Sequence, residues 1–134
     1  MKFLFDNNLS PHFALALHEL CQGASRYQII PLGQKFPRNT PDHEWITALS
    51  VEGGWSIVSQ DGFRKNDLER EALRKCGLAV FVLSKQWMDH TYWTKAQNLV
   101  KWWPAIEDYQ ARIQGGAAVR IPWRMTGRFE QIRL

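Results

Sequence analysis

The stretch Phe3-Leu4-Phe5-Asp6-Asn7-Asn8-Leu9-Ser10-Pro11 decides how the rest of the chain is read. A short apolar run, Lys2 to Phe5, stops on an acid and two amides, and a helix-start signal follows at once. Apolar, short and bounded by turn-prone Asn, the run reads as a buried strand. Ser10 is a good N-cap, and Pro11 suits the first helical position. An apolar strand that brings a carboxylate to its own C-terminal end is how an open α/β sheet builds an active site. Whether other acids arrive at the same place is then the question to put to the remaining sequence.

Working outward, Phe13, Ala14, Leu17 and Leu20 recur at helical spacing up to Gly23. Tyr27 to Leu32 reads as a second strand, and Pro31 places its end at an edge. A polar loop, Gly33 to Asn39, carries Lys35 and Arg38. Thr40-Pro41 is a second cap-plus-proline start, and the helix it opens is stopped by Gly53-Gly54. Trp55 to Ser59 is a third strand and again ends near an acid, Asp61. Asn66 with Glu69 forms a capping box for a helix to about Lys75. Leu78 to Leu83 is the fourth and most apolar strand. Asp89 is the expected cap of a long helix that Pro104 should kink or break. The tail, Ala118 to Ile121 and Arg128 to Ile132, reads as a short β segment or extended arm.

Strands alternating with helices imply a parallel sheet covered on both faces. In a doubly wound sheet the first and third strands are neighbours at the switch point, where ligands bind beyond the strand C-termini. Asp6 and Asp61 end those two strands. Asp42 shares the inward face of its helix with Ile46 and Leu49, so it leans over the same crevice. Glu44 is about 200° round the helix from Asp42 and faces away. Three carboxylates in one pocket repel each other and stay ionised together with a cation between them. Oxygen-only ligands suit Mg²⁺ or Mn²⁺. Such an ion can polarise a phosphodiester and activate water. Asn7, Asn8, Ser59 and Gln60 are placed to orient the acids, and Arg38, Arg64 and Lys65 to take phosphates.

Composition allows this and excludes other classes. The 134 residues are 45% hydrophobic and 22% charged, an ordinary globular balance. A chain of this length buries roughly two thirds of its unfolded surface and needs no disulfide. Cys21 and Cys76 lack Cys or His partners at ligand spacing and read as free thiols of a reducing compartment. His12, His18, His43 and His90 share no metal spacing and read as surface or cap residues. The formal charge of +4 and pI of about 9.3 fit a nucleic-acid partner without demanding one. No signal peptide is expected from an apolar stretch of four residues before Asp6, and no stretch approaches the roughly 18 apolar residues of a membrane span. A cytoplasmic protein without a membrane partner is expected. Of seven tryptophans, Trp87, Trp93, Trp102, Trp103 and Trp123 cluster late in the chain. At helical spacing they suit a core or a dimer face better than an RNA-stacking platform.

The motifs themselves are familiar. Asp6-Asn7-Asn8-Leu9-Ser10-Pro11 resembles the Asp-x-Asn-Leu-x-Pro opening of small PIN-like proteins. Thr40-Pro41-Asp42 with Glu44-Trp45-Ile46, then Val58-Ser59-Gln60-Asp61, resembles their second and third motifs. Arg64-Lys65-Asn66 with Glu69 and Ala72-Leu73, then Val80-Phe81-Val82-Leu83, continues the likeness. Together they look like the VapC-type PIN-like subgroup found as toxins in bacterial toxin–antitoxin pairs. The resemblance covers about residues 1–104.

It implies a three-layer α/β/α fold with a mainly parallel four-stranded sheet, a long C-terminal helix and a short β tail. One domain over 1–134 is expected, with its core at about 1–104 and the helix end and tail at about 105–134. It also implies an Mg²⁺- or Mn²⁺-dependent endoribonuclease of a type II toxin–antitoxin system. Asp6, Asp42 and Asp61 match the acidic positions that are catalytic and hold the metal, with Glu44 as a fourth candidate. The implied partners are an RNA substrate, a cognate antitoxin and a second copy of the chain. Asn7 departs from the Glu common after the first Asp, and no clear fourth acid is present. That departure motivates the alternative, a non-catalytic PIN-like module that binds a protein or RNA. A phosphoacceptor site of the receiver type would need paired acids after the first strand and a Lys after the last, which this sequence lacks.

Overall fold

Alternation along the strands sorts the core into two layers. The computed structural model describes residues 1–60, 67–113 and 116–133. Strand β1 (Lys2–Phe5) sits inside a six-stranded sheet of order β2-β1-β3-β4-β5-β6. Its neighbours are β2 (Gln28–Pro31) and β3 (Trp55–Ser59), both parallel to it. β4 (Ala79–Leu83) and β5 (Ala118–Ile121) continue the parallel order, and β6 (Glu130–Gln131) closes it antiparallel. The adjacency of the first and third strands is the one that doubly wound topology predicts.

Phe3, Phe5, Val58, Ala79, Phe81, Leu83, Val119 and Ile121 point to one side. There they pack on α1 (Pro11–Gln22) and α5 (Tyr92–Arg112). Leu4, Ile57, Val80, Val82 and Ala118 point to the other. They meet α3 (Asp42–Glu52) and α4 (Asp67–Cys76). Apolar positions on both sides of each inner strand are what a sheet covered on both faces requires. Each large side chain so buried contributes about 1.5–3 kcal/mol.

The sequence expectations hold for the inner strands and fail in instructive places. The sheet has six strands and is mixed, not a four-stranded parallel one. The expected tail arm is built into it, because β5 buries Ala118, Val119 and Ile121 beside β4. β4 is buried along its whole length and needs that outer neighbour. Ser10 does cap α1, accepting from His12 N–H. Thr40 does not cap α3; its hydroxyl donates to Pro37 O at 2.7 Å, and the helix starts after Pro41 without a side-chain cap. Part of the expected polar loop is a short helix, α2 (Leu32–Lys35), which buries Leu32. Gly53, at φ 75°, ends α3 where the left-handed region favours glycine. The capping box at Asn66 lies outside the described residues.

Asp89 closes a 3₁₀ turn (Lys85–Asp89), and Thr91 is the cap of α5. Pro104 neither ends nor splits α5, which runs from Tyr92 to Arg112. Pro104 lies on the exposed side of the helix, as does Val100 one turn earlier. The carbonyl that loses its i+4 donor therefore faces water. The tryptophans divide. Trp87, Trp102 and Trp103 are core, whereas Trp93 is 75% exposed. Among the described residues no helix is long and apolar enough to cross a membrane. Cys21 and Cys76 are free, and burial pushes both thiols above their ordinary pKa.

Candidate active site

The register of the central strands sets the geometry of the site. Phe5 lies opposite Val58, so Asp6 and Ser59 emerge side by side at the C-terminal ends of β1 and β3. Asp6 N–H donates to Val58 O at 2.9 Å, which extends the ladder by one residue and fixes the acid's backbone. The Asp6 side chain is buried, with 8% of the residue exposed. Its Oδ1 accepts from Asn7 N–H at 2.7 Å, and its Oδ2 accepts from the Ser59 hydroxyl at 3.2 Å. A buried carboxylate costs several kcal/mol unless donors meet it, and these two reduce that cost.

Asn8 reaches across the same gap. Its Nδ2 donates to Ser59 Oγ at 3.1 Å, and its Oδ1 accepts from Gln60 N–H at 3.0 Å. Ser59 therefore passes a hydrogen bond from Asn8 on to Asp6. Gln60 Nε2 donates to the carbonyls of Leu83 and Ser84, both at 3.3 Å. The end of β3 is thereby tied to the end of β4 as well. Of the residues expected to orient the acids, Asn8 and Ser59 hold Asp6 in place, and Gln60 braces the neighbouring strand end.

Asp42 stands in the first turn of α3, half-buried. Its Oδ1 accepts from the indole N–H of Trp45 at 2.7 Å. Its Oδ2 makes no hydrogen bond among the described residues. Trp45 is a core side chain with no exposure, so the packed interior aims this carboxylate. The sequence signal for this link is the spacing alone: a Trp three residues after a first-turn Asp brings two side chains together. Glu44 is exposed, as its helical phase predicts. Asp61, Arg64 and Lys65 lie outside the described residues.

Arg38 and Asn7 line one cleft of about 570 Å³ together with Phe36 and Thr40. The cleft opens beside the residue that follows Asp6. Arg38 makes no ion pair among the described residues. Lys35, the other cation of this loop, is spent on Glu52 at 2.9 Å.

A family model described as a PIN like domain matches residues 1–85. The chain belongs to the PIN-like family. The match runs from β1 through β4 and includes Asp6, Asp42 and the amide cluster; α5 and the last two strands lie beyond it. PIN-like domains form a superfamily that includes nucleases. No curated protein and no solved structure matches the chain.

Asp6 and Asp42 offer carboxylate oxygens alone, and each oxygen carries more than one lone pair. Among the described residues no group of three or more His, Cys, Asp or Glu gathers as a metal site. The third acid of the expected set is Asp61.

Proposed function

We propose that the protein is an Mg²⁺- or Mn²⁺-dependent endoribonuclease and the toxin of a type II toxin–antitoxin pair. The observation that carries the reading is the buried Asp6 carboxylate, held by Ser59 across the β1–β3 switch point of a PIN-like chain. Asp6, Asp42 and Asp61 hold the cation, which supplies charge neutralisation at the phosphodiester and an activated water. Ser59 and Asn8 keep Asp6 in one rotamer, and Trp45 does the same for Asp42. Arg38, Arg64 and Lys65 take substrate phosphates. The order and spacing of the motifs favour the toxin subgroup, whose members act in the cytoplasm and are neutralised by an antitoxin encoded beside them.

RNA cleavage with added Mn²⁺ tests the reading. Asp6→Asn and Asp61→Asn should each lower the rate by about 100-fold or more, the scale of losing one electrostatic group at a reacting centre. Equal rates for the variants and the wild type reject it. A second reading, a PIN-like module that binds RNA or protein without cutting, is favoured by the uncharged Asn7 beside Asp6. Titration with Mn²⁺ separates the two: binding weaker than several millimolar supports the module.

A further inference from the structure

We infer that the end of the sheet opposite Asp6 holds a second site, a pocket for a small, flat, uncharged molecule that presents carbonyl oxygens, of the kind a pyrimidine base carries. The inference does not depend on the ribonuclease reading.

The pocket lies where β3 and β4 begin. Gly53 and Gly54 lead into β3, and Gly77 leads toward β4. Together with Met1, Ser56 and Gln110 from the last turn of α5, they line a cavity of about 360 Å³. A Cβ at Gly53 or at Gly77 would meet no atom within 4 Å, so backbone alone borders the cavity there. The Ser50 hydroxyl donates to Cys76 O at 2.8 Å, which ties the end of α3 to the end of α4 and holds these walls together. Ser56 and Ser59 are three residues apart on β3, about 10 Å at strand spacing. A ligand at this end therefore leaves the acids uncovered.

Two polar groups in the pocket lack good partners. Ser56 is only 1% exposed, and its neighbours across the ladder are Phe3 and Ala79. Its Oγ has no hydrogen-bond partner among the described residues. A hydroxyl in such a place is a cost to the fold, which a Val or Ala would avoid. Gln110 is buried too, and its Oε1 accepts from the Tyr27 hydroxyl at 3.3 Å. Its Nε2 donates to the thioether sulfur of Met1, a weak acceptor. Met1 is 60% exposed and unbranched, so it can swing aside for a better one.

Size and charge select the ligand. One structural water would satisfy Ser56, but at about 30 Å³ each the cavity has room for roughly 12. Its volume falls within the range of about 300–1,000 Å³ typical of small-molecule sites. Ser56 and Gln110 both offer a donor, so the ligand must bring acceptors. Among the described residues no charged side chain lines the cavity. Burial pushes the Cys76 thiol in its wall above its ordinary pKa, the mark of surroundings that disfavour a negative charge. A carboxylate or phosphate would lose its hydration there without a counter-charge. Carbonyl oxygens on a neutral ring meet both donors without that loss, and the Trp55 indole supplies a flat wall.

The test is a titration of the ¹⁵N-labelled protein with uracil, followed by two-dimensional NMR. Orotate, the same ring with a carboxylate added, is the control. Uracil should shift the Gln110 side-chain amide and the backbone amides of Ser56 and Ala79 at millimolar concentration, and leave those of Asn8 and Gln60 in place. Orotate should shift none of them. Ser56→Ala should weaken uracil binding about 10-fold, the scale of one lost hydrogen bond, and Gln110→Met should do the same. Because the Ser56 hydroxyl has no partner to lose, Ser56→Ala should leave the melting temperature of the unliganded protein unchanged or raise it. The pocket is overturned if uracil shifts nothing, if its shifts fall on Asn8 and Gln60, or if orotate binds as well as uracil. A clear drop in melting temperature for Ser56→Ala overturns it as well, since the hydroxyl would then be serving the fold.

Discussion

The two faces of the sheet are built from different materials. The α1/α5 face is aromatic: Phe3 and Phe5 meet Trp103 at 4.8 and 5.8 Å between ring centroids, and Trp87, Trp102 and Phe81 fill the same layer. The α3/α4 face is mainly aliphatic, with Leu4, Ile46, Leu49, Ile57, Val80 and Val82. By strand alternation Asp6 follows Leu4, and Ser59 follows Ile57, onto the α3/α4 side. Asp42 and its donor Trp45 come from that side too. The candidate chemistry is thus confined to one face, and the other face is free to maximise packing. The α1/α5 layer serves packing alone, whereas in the α3/α4 layer Trp45 both fills the core and holds Asp42.

The sharpest way to break this contrast is to damage the silent face. Trp103→Ala removes the ring at the centre of the aromatic layer and should cost about 3–5 kcal/mol in urea unfolding. At temperatures where the variant is still folded, its RNA cleavage should stay within a few-fold of wild type. A specific loss of activity in the folded variant would show that the aromatic face also sets the site. Trp45→Phe tests the other layer. It keeps a ring in the core but deletes the N–H to Asp42. Mn²⁺ affinity should fall by about 10-fold or more, the usual effect of losing an outer-shell partner. The stability cost should be about 2–3 kcal/mol, from the lost hydrogen bond and the smaller ring in a packed core.

Ser59→Ala is a milder probe of the same side. It removes the donor to Asp6 Oδ2 and the acceptor for Asn8 Nδ2. A stability loss of about 1–2 kcal/mol is expected from denaturant midpoints, with Asp6 less firmly held. The smallest effect concerns pH. The hydrogen bond from Lys35 holds the Glu52 carboxyl below its ordinary range, with help from Trp55 N–H. A folded pKa lower than the unfolded one adds stability above the unfolded value, and that stability is lost as pH falls through the folded value. The group is exposed and screened, so Lys35→Met should shift only the acid limb of the unfolding profile, and slightly.

How far the sequence could be read follows from the range of the forces involved. β1 and β3 were readable with their observed bounds because short apolar runs ended by Asn or Gly are local signals. The phase that turns Asp42 inward and Glu44 outward was also local. The hydrogen bond from Ser59 to Asp6 spans 53 residues of sequence and depends on strand register. Nothing near either residue announces it. The same is true of His18, read as a surface or cap residue. Its Nδ1 accepts from Ile29 N–H at 3.1 Å and so pairs a backbone donor of β2. Thr91 and not Asp89 caps α5; Asp89 ends a 3₁₀ turn whose Trp87 is buried, its indole N–H donating to Ile121 O at 3.1 Å. Pro104 misled because proline is read as a breaker, and its solvent-side position is known only once the helix is docked. Ala118 to Ile121 reads as a short β segment or an extended arm, but its place in the sheet is not legible, because its partner is a strand on the far side of a 21-residue helix.

That last arrangement bears on how the chain is made. During synthesis β4 leaves the ribosome well before β5, with all of α5 in between. Until β5 arrives, Ala79-Val80-Phe81-Val82-Leu83 is an apolar strand with an open edge, the kind of surface that pairs with neighbouring chains. β5 covers that edge, and β6, only two residues long and carrying Glu130, leaves a short, charged margin in its place. The segment beyond the family match therefore closes an edge that the matched part would otherwise leave open.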